Sequence, residues 1–141
     1  MLKKLAQTPN YSVPPLQGLW WCRDMSLFVA GKKDEWEWKL MIMQPDFVTD
    51  QNLNDAVIEV EKKKNIKLPK IKFEKITEGL SAQVMHIGPY SDEAVTIANL
   101  HKFIKDNGYK LRGLHHEIYL GDPRKSAPEK LKTIIRQPVG K

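Results

Sequence analysis

A carboxylate set between an imidazole and a phenol is the first arrangement in this sequence that could do chemistry. It lies in GLHHEIYLGDP, residues 113–123, which alternates as a strand and runs into a turn. Leu114, His116, Ile118 and Leu120 point one way, and His115, Glu117 and Tyr119 point the other. If the second face is solvated, Glu117 is an ordinary surface carboxylate, and the general exposure of charged residues favours that reading. If the face lines a cavity, Glu117 is a partly desolvated negative charge among aromatic rings. Such a group suits a cationic ligand or the activation of a water.

Other chemistries find less support. The net charge of +6 invites a nucleic-acid reading, but the charge is spread out. Lys62, Lys63 and Lys64 end a helical pattern, where cations favour the dipole, and Lys67, Lys70, Lys72 and Lys75 follow along a connector. A solvated lysine-rich face, weakly attractive to acidic partners, explains them without direct specific DNA binding. There is no zinc-finger spacing and no glycine-rich phosphate loop, so neither a metal nor a cofactor is expected. Cys22 is the only cysteine, which excludes an internal disulfide and points to the cytoplasm. No apolar run approaches the roughly 20 residues of a membrane span, and the N-terminus lacks the pattern of a signal peptide. A chain of 141 residues with 41% hydrophobic residues is read as one domain, residues 1–141, with a substantial core.

The elements that must position Glu117 can be read from periodicity. Residues 1–17, with Pro9, Pro14 and Pro15, form an extended lead-in segment. Residues 18–22, GLWWC, are a short strand on which Trp20 and Trp21 face opposite sides. Residues 23–35 form a hairpin connection. In the strand 36–44, Trp36, Trp38, Leu40 and Ile42 make one face, expected to be core. Glu37, Lys39, Met41 and Met43 make the other, grading from charged to thioether like a wall entering a cavity or a surface under a helix. Thr49 caps a helix to about Lys64 with Leu53, Ala56, Val57 and Val60 as its stripe. A strand near 71–77 follows, carried by Ile71, Phe73 and Ile76, and then a strand over 80–87. Gly88, Pro89 and Tyr90 turn the chain, and Ser91 caps a helix with Asp92 and Glu93 in its first turn, stopped at Asn107 and Gly108. His101 on that helix is read as a boundary residue rather than a ligand. After the Glu117 strand, a polar turn leads to a final strand at 131–139. The second half is a βαββ unit, one helix on an antiparallel sheet, in an α+β architecture.

These pieces resemble the GyrI-like small-molecule-binding family. The matching stretches are PPLQGLWW (14–21), KLMIMQPDFVT (39–49), LSAQVMHIGPYSDE (80–93) and HHEIYLGDPRKSAPEKLKTIIRQPV (115–139). The resemblance implies two βαββ repeats with a ligand cleft between them, helices packed on one face of the sheet. It also implies a stand-alone branch that hydrolyses cyclopropanoid DNA-alkylating compounds. This chain is shorter than that branch at its N-terminus, so the first repeat is expected to be incomplete. The uncovered sheet edge that would result leads us to expect a homodimer. Gln17 stands where the family often has Glu, so a second cleft carboxylate is not expected from that position.

Carried onto this chain, the family's cleft carboxylate is Glu117. The implied wall is Trp20 or Trp21, Trp38, Met43, Tyr90 and Tyr119, rings that stack on flat ligands and attract cations. In a hydrolase Glu117, its pKa raised by desolvation, would activate or position water for attack on a three-membered ring, with Tyr119 or Tyr90 donating to the ligand. The resemblance thus implies a small-molecule partner that is planar, hydrophobic or cationic, bound with or without hydrolysis. It also leaves an inhibitory interaction with DNA gyrase, as found in one branch of the family. The chain carries no helix-turn-helix that would make it a transcription activator.

Overall fold

The computed structural model describes residues 11–23 and 33–141. Readings that fall on residues 1–10 and 24–32 lie outside the described residues. The chain divides into two units, one holding Met43–Ile76 with the chain up to Pro14, the other Pro15–Ile42 and Thr77–Lys141.

The first unit is built on helix α1, Asp50–Lys64. Thr49 starts it with a reciprocal cap: its side chain accepts from Asn52 N, and Asn52 Oδ1 accepts from Thr49 N at 2.9 Å. Asn65 ends it in the left-handed conformation at φ 50°. Ala56 is buried, flanked by half-buried Leu53, Val57 and Val60, so the helical stripe falls where its spacing puts it. The strand expected near 71–77 does not form. Pro69 removes a donor just before it, no ladder partner is present among the described residues, and Ile71, Phe73 and Ile76 are exposed.

Among the described residues, the second unit is an antiparallel sheet with one α-helix. Its strands are β1 (Gln17–Trp21), β2 (Glu37–Met41), β3 (Ser81–Ile87), β4 (Lys110–Leu111), β5 (His115–Tyr119) and β6 (Lys132–Gly140). Their order is β2-β1-β5-β6-β3, with the short β4 pairing to β6. The segment from β3 to β6 is the expected βαββ unit. Its helix, α2, spans Glu93–Asp106 and buries Ile97, Leu100 and Ile104 against Ile135 and Val139 of β6, with Ala82 and Val84 of β3 at the margin. The buried positions 93, 97, 100 and 104 recur at helical spacing and define the face turned to the sheet. Ser91 is not the cap. A single 3-10 turn over Tyr90–Asp92 precedes α2, which places Asp92 at the N-cap without a side-chain bond.

One face of β2 departs from its reading. Trp38, Leu40 and Ile42, expected in the core, are 59%, 48% and 44% exposed. Helix α2, the one helix of this unit among the described residues, lies over β3 and β6, at the far end of the sheet from β2, so it does not cover that face. Apolar alternation marked the correct face but not what lies on it.

Candidate functional site

Register builds the site. Gly18 of β1 stands opposite Glu117 of β5, and Glu117 stands opposite Ile135 of β6. Trp20 stands opposite both Trp38 of β2 and His115 of β5. Directly opposed residues of an antiparallel pair share a face. Trp38, Trp20, His115, Glu117 and Tyr119 are therefore on the same side of the sheet as Ile135 and α2.

Glu117 is buried at 4% exposure, which overturns the solvated reading. Both of its oxygens are occupied. His115 Nε2 meets Oε1 at 3.2 Å, and the Tyr119 hydroxyl donates to Oε2 at 2.8 Å. Trp20 Nε1 in turn donates to the Tyr119 hydroxyl oxygen at 2.9 Å, so a relay of donors ends on the carboxylate. A carboxylate only accepts, so His115 presents Nε2–H to it. Glu93, also 4% exposed, lies on the face of α2 turned to the sheet.

These bonds reverse the expected ionisation. Burial alone pushes the Glu117 carboxyl up, but the hydrogen bonds from His115 and Tyr119 outweigh it and bring the group down to about 2. Glu117 is thus a held anion, not the basic carboxylate expected from desolvation. The Tyr119 phenol is pushed up by burial and then by the Glu117 charge, which keeps it a donor. Tyr90 is moved the same way, by burial first and then by Glu93 and Glu117.

The turn between β3 and α2 brings in Tyr90 and Glu93. Gly88 takes φ +133°, a conformation that side chains rarely adopt, and donates its N–H to Leu131 O at 2.9 Å. Buried His86 pins the turn, with Nε2 3.0 Å from Pro89 O and Nδ1 2.8 Å from Thr96 Oγ1. Tyr90 then meets Tyr119 edge to face, ring centroids 5.9 Å apart, and Trp20 meets Trp36 likewise at 6.0 Å.

Of the residues named from sequence, Trp20, Tyr90, Glu117 and Tyr119 come together. Trp38 shares their face as the cross-strand neighbour of Trp20. Trp21 does not join them; its Nε1 donates to Glu37 Oε2 at 2.7 Å beside β2. Met43 is 64% exposed and belongs to the other unit. Sequence reasoning missed Glu93, read only as a dipole partner of its helix. The signal was its place at the head of the buried positions 93, 97, 100 and 104, a face turned to the sheet. Gln17 turns out to lie on the opposite face, where its Oε1 accepts from His116 Nε2 at 2.7 Å and His116 Nδ1 meets Glu78 at 2.8 Å. A carboxylate at 17 would join that network and not Glu117. Among the described residues no three His, Cys, Asp or Glu side chains assemble to hold a metal ion.

Gly18 was also missed as a site residue. A Cβ there would sit 2.7 Å from Trp20 Nε1 and 3.1 Å from the Tyr119 hydroxyl. Gly18→Ala should break the Trp20–Tyr119 bond and cost about 1–3 kcal/mol by overpacking. Thermal unfolding and tryptophan emission report both effects, and an unchanged emission spectrum would contradict the close approach.

The model of the GyrI-like small molecule binding domain family matches residues 39–139. Among solved structures, an uncharacterized conserved protein from Listeria innocua is 40% identical, with a TM-score of 0.85 over 97% of this chain and 69% of that one. A hydrolase from Listeria innocua is 38% identical, with a TM-score of 0.79 over 96% of this chain and 67% of that one. No curated protein matches. No helix among the described residues is long and apolar enough to cross a membrane.

Proposed function

For a chain that belongs to the GyrI-like small-molecule-binding family, we propose that the Glu117 face binds planar, hydrophobic or cationic drug-like compounds and hydrolyses those carrying a strained cyclopropane conjugated to a carbonyl. The observation that carries this reading is a buried, ionised carboxylate bordered by the rings of Trp20, Tyr90 and Tyr119. A flat cation gains from the negative charge and from the ring faces together. In hydrolysis Glu117 orients a water toward a ring carbon. The C–O bond forms as the strained C–C bond breaks, the electron pair moves to the conjugated carbonyl oxygen, and Tyr90 or Tyr119 donates a hydrogen bond there. The water's second proton passes to solvent through Glu117. The similar Listeria innocua protein described as a hydrolase supports this chemistry.

One observation favours a second reading, binding without turnover. A carboxylate brought down to about 2 is a weak base, whereas a sequestering site needs only its charge. Incubation with a cyclopropanoid alkylator followed by mass detection decides between them. Many equivalents of water adduct per protein are expected for the hydrolase. Stoichiometric retention of unchanged compound would replace it with the sequestering module, and neither product nor retention would overturn both.

A further inference from the structure

The stretch that fails to pair as a strand also carries most of the chain's net charge. Between positions 61 and 76 stand seven lysines against two glutamates, which is five of the six net positive charges. The stretch belongs to the first unit and runs on from the last turn of α1. Among the described residues, Lys67 lies 3.6 Å from Glu61 and Lys72 lies 2.9 Å from Glu74. Lys64, Lys70 and Lys75 have no acidic partner there. Between these charges Ile66, Ile71, Phe73 and Ile76 are 38% to 50% exposed. Ile58, 63% exposed, stands one turn before Lys62 on the same face of α1. A solvated lysine-rich face explains the charge but not the five apolar side chains left in water beside it.

We infer that residues 58–76 form a docking surface for an anionic phospholipid membrane, with the lysines on the headgroup phosphates and the aliphatic and phenyl side chains in the acyl boundary. The protein lies on such a surface and does not cross it. The charge identifies an anionic partner, and the apolar residues decide which one. Aliphatic side chains gain by leaving water for hydrocarbon. A single-stranded nucleic acid is held by successive stacking rings, and this stretch offers one, Phe73. Lysine stems lie along apolar neighbours while their ammonium groups reach phosphate. The backbone of 71–76 has no ladder partner among the described residues, and at headgroup depth it stays hydrated. Pro69 and the repulsion between like lysines disfavour pairing with the same stretch of a second copy. The inference is independent of what the Glu117 face binds.

Flotation of the full chain with vesicles tests it. Vesicles of equal parts phosphatidylcholine and phosphatidylglycerol should bind the protein at least about 10-fold more tightly than phosphatidylcholine alone, and salt should shrink the difference. A lysine near such a surface strengthens binding about 5-fold, so Lys64→Gln, Lys70→Gln and Lys75→Gln together should weaken it on the order of 10²-fold. Ile71→Ser with Phe73→Ser keeps the charge and should weaken binding by about 10-fold or more. All five positions are exposed, so both variants should unfold at the parental temperature. Ile71→Ser alone, at the more exposed of the two apolar positions, repeats the test with less perturbation. No preference for anionic vesicles, or full binding by the lysine variant, would overturn the docking surface. Loss in the lysine variant with full binding by the serine variants would overturn the entry of apolar side chains into lipid. Binding to polyuridylate without flotation would assign the stretch to nucleic acid and overturn the lipid partner.

Discussion

Glu117→Gln should lower affinity for a planar monocation on the order of 10²-fold. Removing one partner of a buried, hydrogen-bonded charge pair costs about 2–5 kcal/mol of binding, and each 1.4 kcal/mol is about tenfold. Hydrolysis of a cyclopropanoid compound should fall by about 10²–10⁴-fold where the carboxylate orients the water. Titration calorimetry and product mass follow the two effects separately. The substitution also has a structural cost. Glu117 receives donors from His115 and Tyr119, and hydrogen bonds to a charged group contribute about 1.5–3 kcal/mol. The variant should unfold more easily at neutral pH, a reversal of what a desolvated, unsupported carboxylate would show. The pH dependence fixes the sign. The Glu117 carboxyl is depressed from its ordinary 4.5 to about 2, so its stabilisation is fully present above the ordinary value and is lost as pH falls through about 2. Parent and variant should converge in stability in strong acid, and denaturant midpoints at pH 7 and near pH 2 measure the convergence.

Trp20→Ala and Trp21→Ala should separate sharply, though the residues are adjacent. Trp20 shares the face of Glu117 and donates to Tyr119; Trp21 is turned to Glu37. Trp20→Ala removes a stacking ring and frees the Tyr119 hydroxyl, so affinity for a planar cation should drop by about 10-fold or more, as loss of one cation–π partner of about 2 kcal/mol implies. It should also cost up to about 3 kcal/mol of stability, because the ring is only half-buried and meets Trp36 edge to face. Trp21→Ala should leave ligand affinity near the parental value. Quenching of the remaining tryptophans by a planar cationic dye reads both variants, and equal losses in the two would place the wall on the wrong side of β1.

Most of the elements were legible because they rest on local signals. Thr49 announces the cap of α1, Asn107 and Gly108 the stop of α2, and alternation over 80–87 and 131–139 the paired strands. The segment 71–77 was misread because alternating apolar residues describe a strand only when a partner completes the ladder, and sequence carries no record of the partner. The faces of Trp20 and Trp21 were opposite by geometry alone, but which one turned to Glu117 depended on register with β5. Burial of Glu117 was hidden for the same reason. The sequence has His115 and Tyr119 two residues to either side, yet their donors converge only because the strand is covered. Glu93 shows the deeper limit. As a helix-start acid it had a sufficient local explanation, and its burial depends on the sheet that α2 covers, which the local sequence does not show.

The central claim is that the Glu117 face recognises charge and not shape alone. The direct measurement compares N-methylphenanthridinium with phenanthridine, its flat isostere that is uncharged at neutral pH, on the parent protein and on Glu117→Gln. The account predicts that the parent binds the cation at least about 10-fold more tightly than the neutral ring, and that Glu117→Gln erases most of this preference while changing affinity for phenanthridine little. Equal affinity of the parent for both compounds, or an undiminished preference in Glu117→Gln, would contradict it.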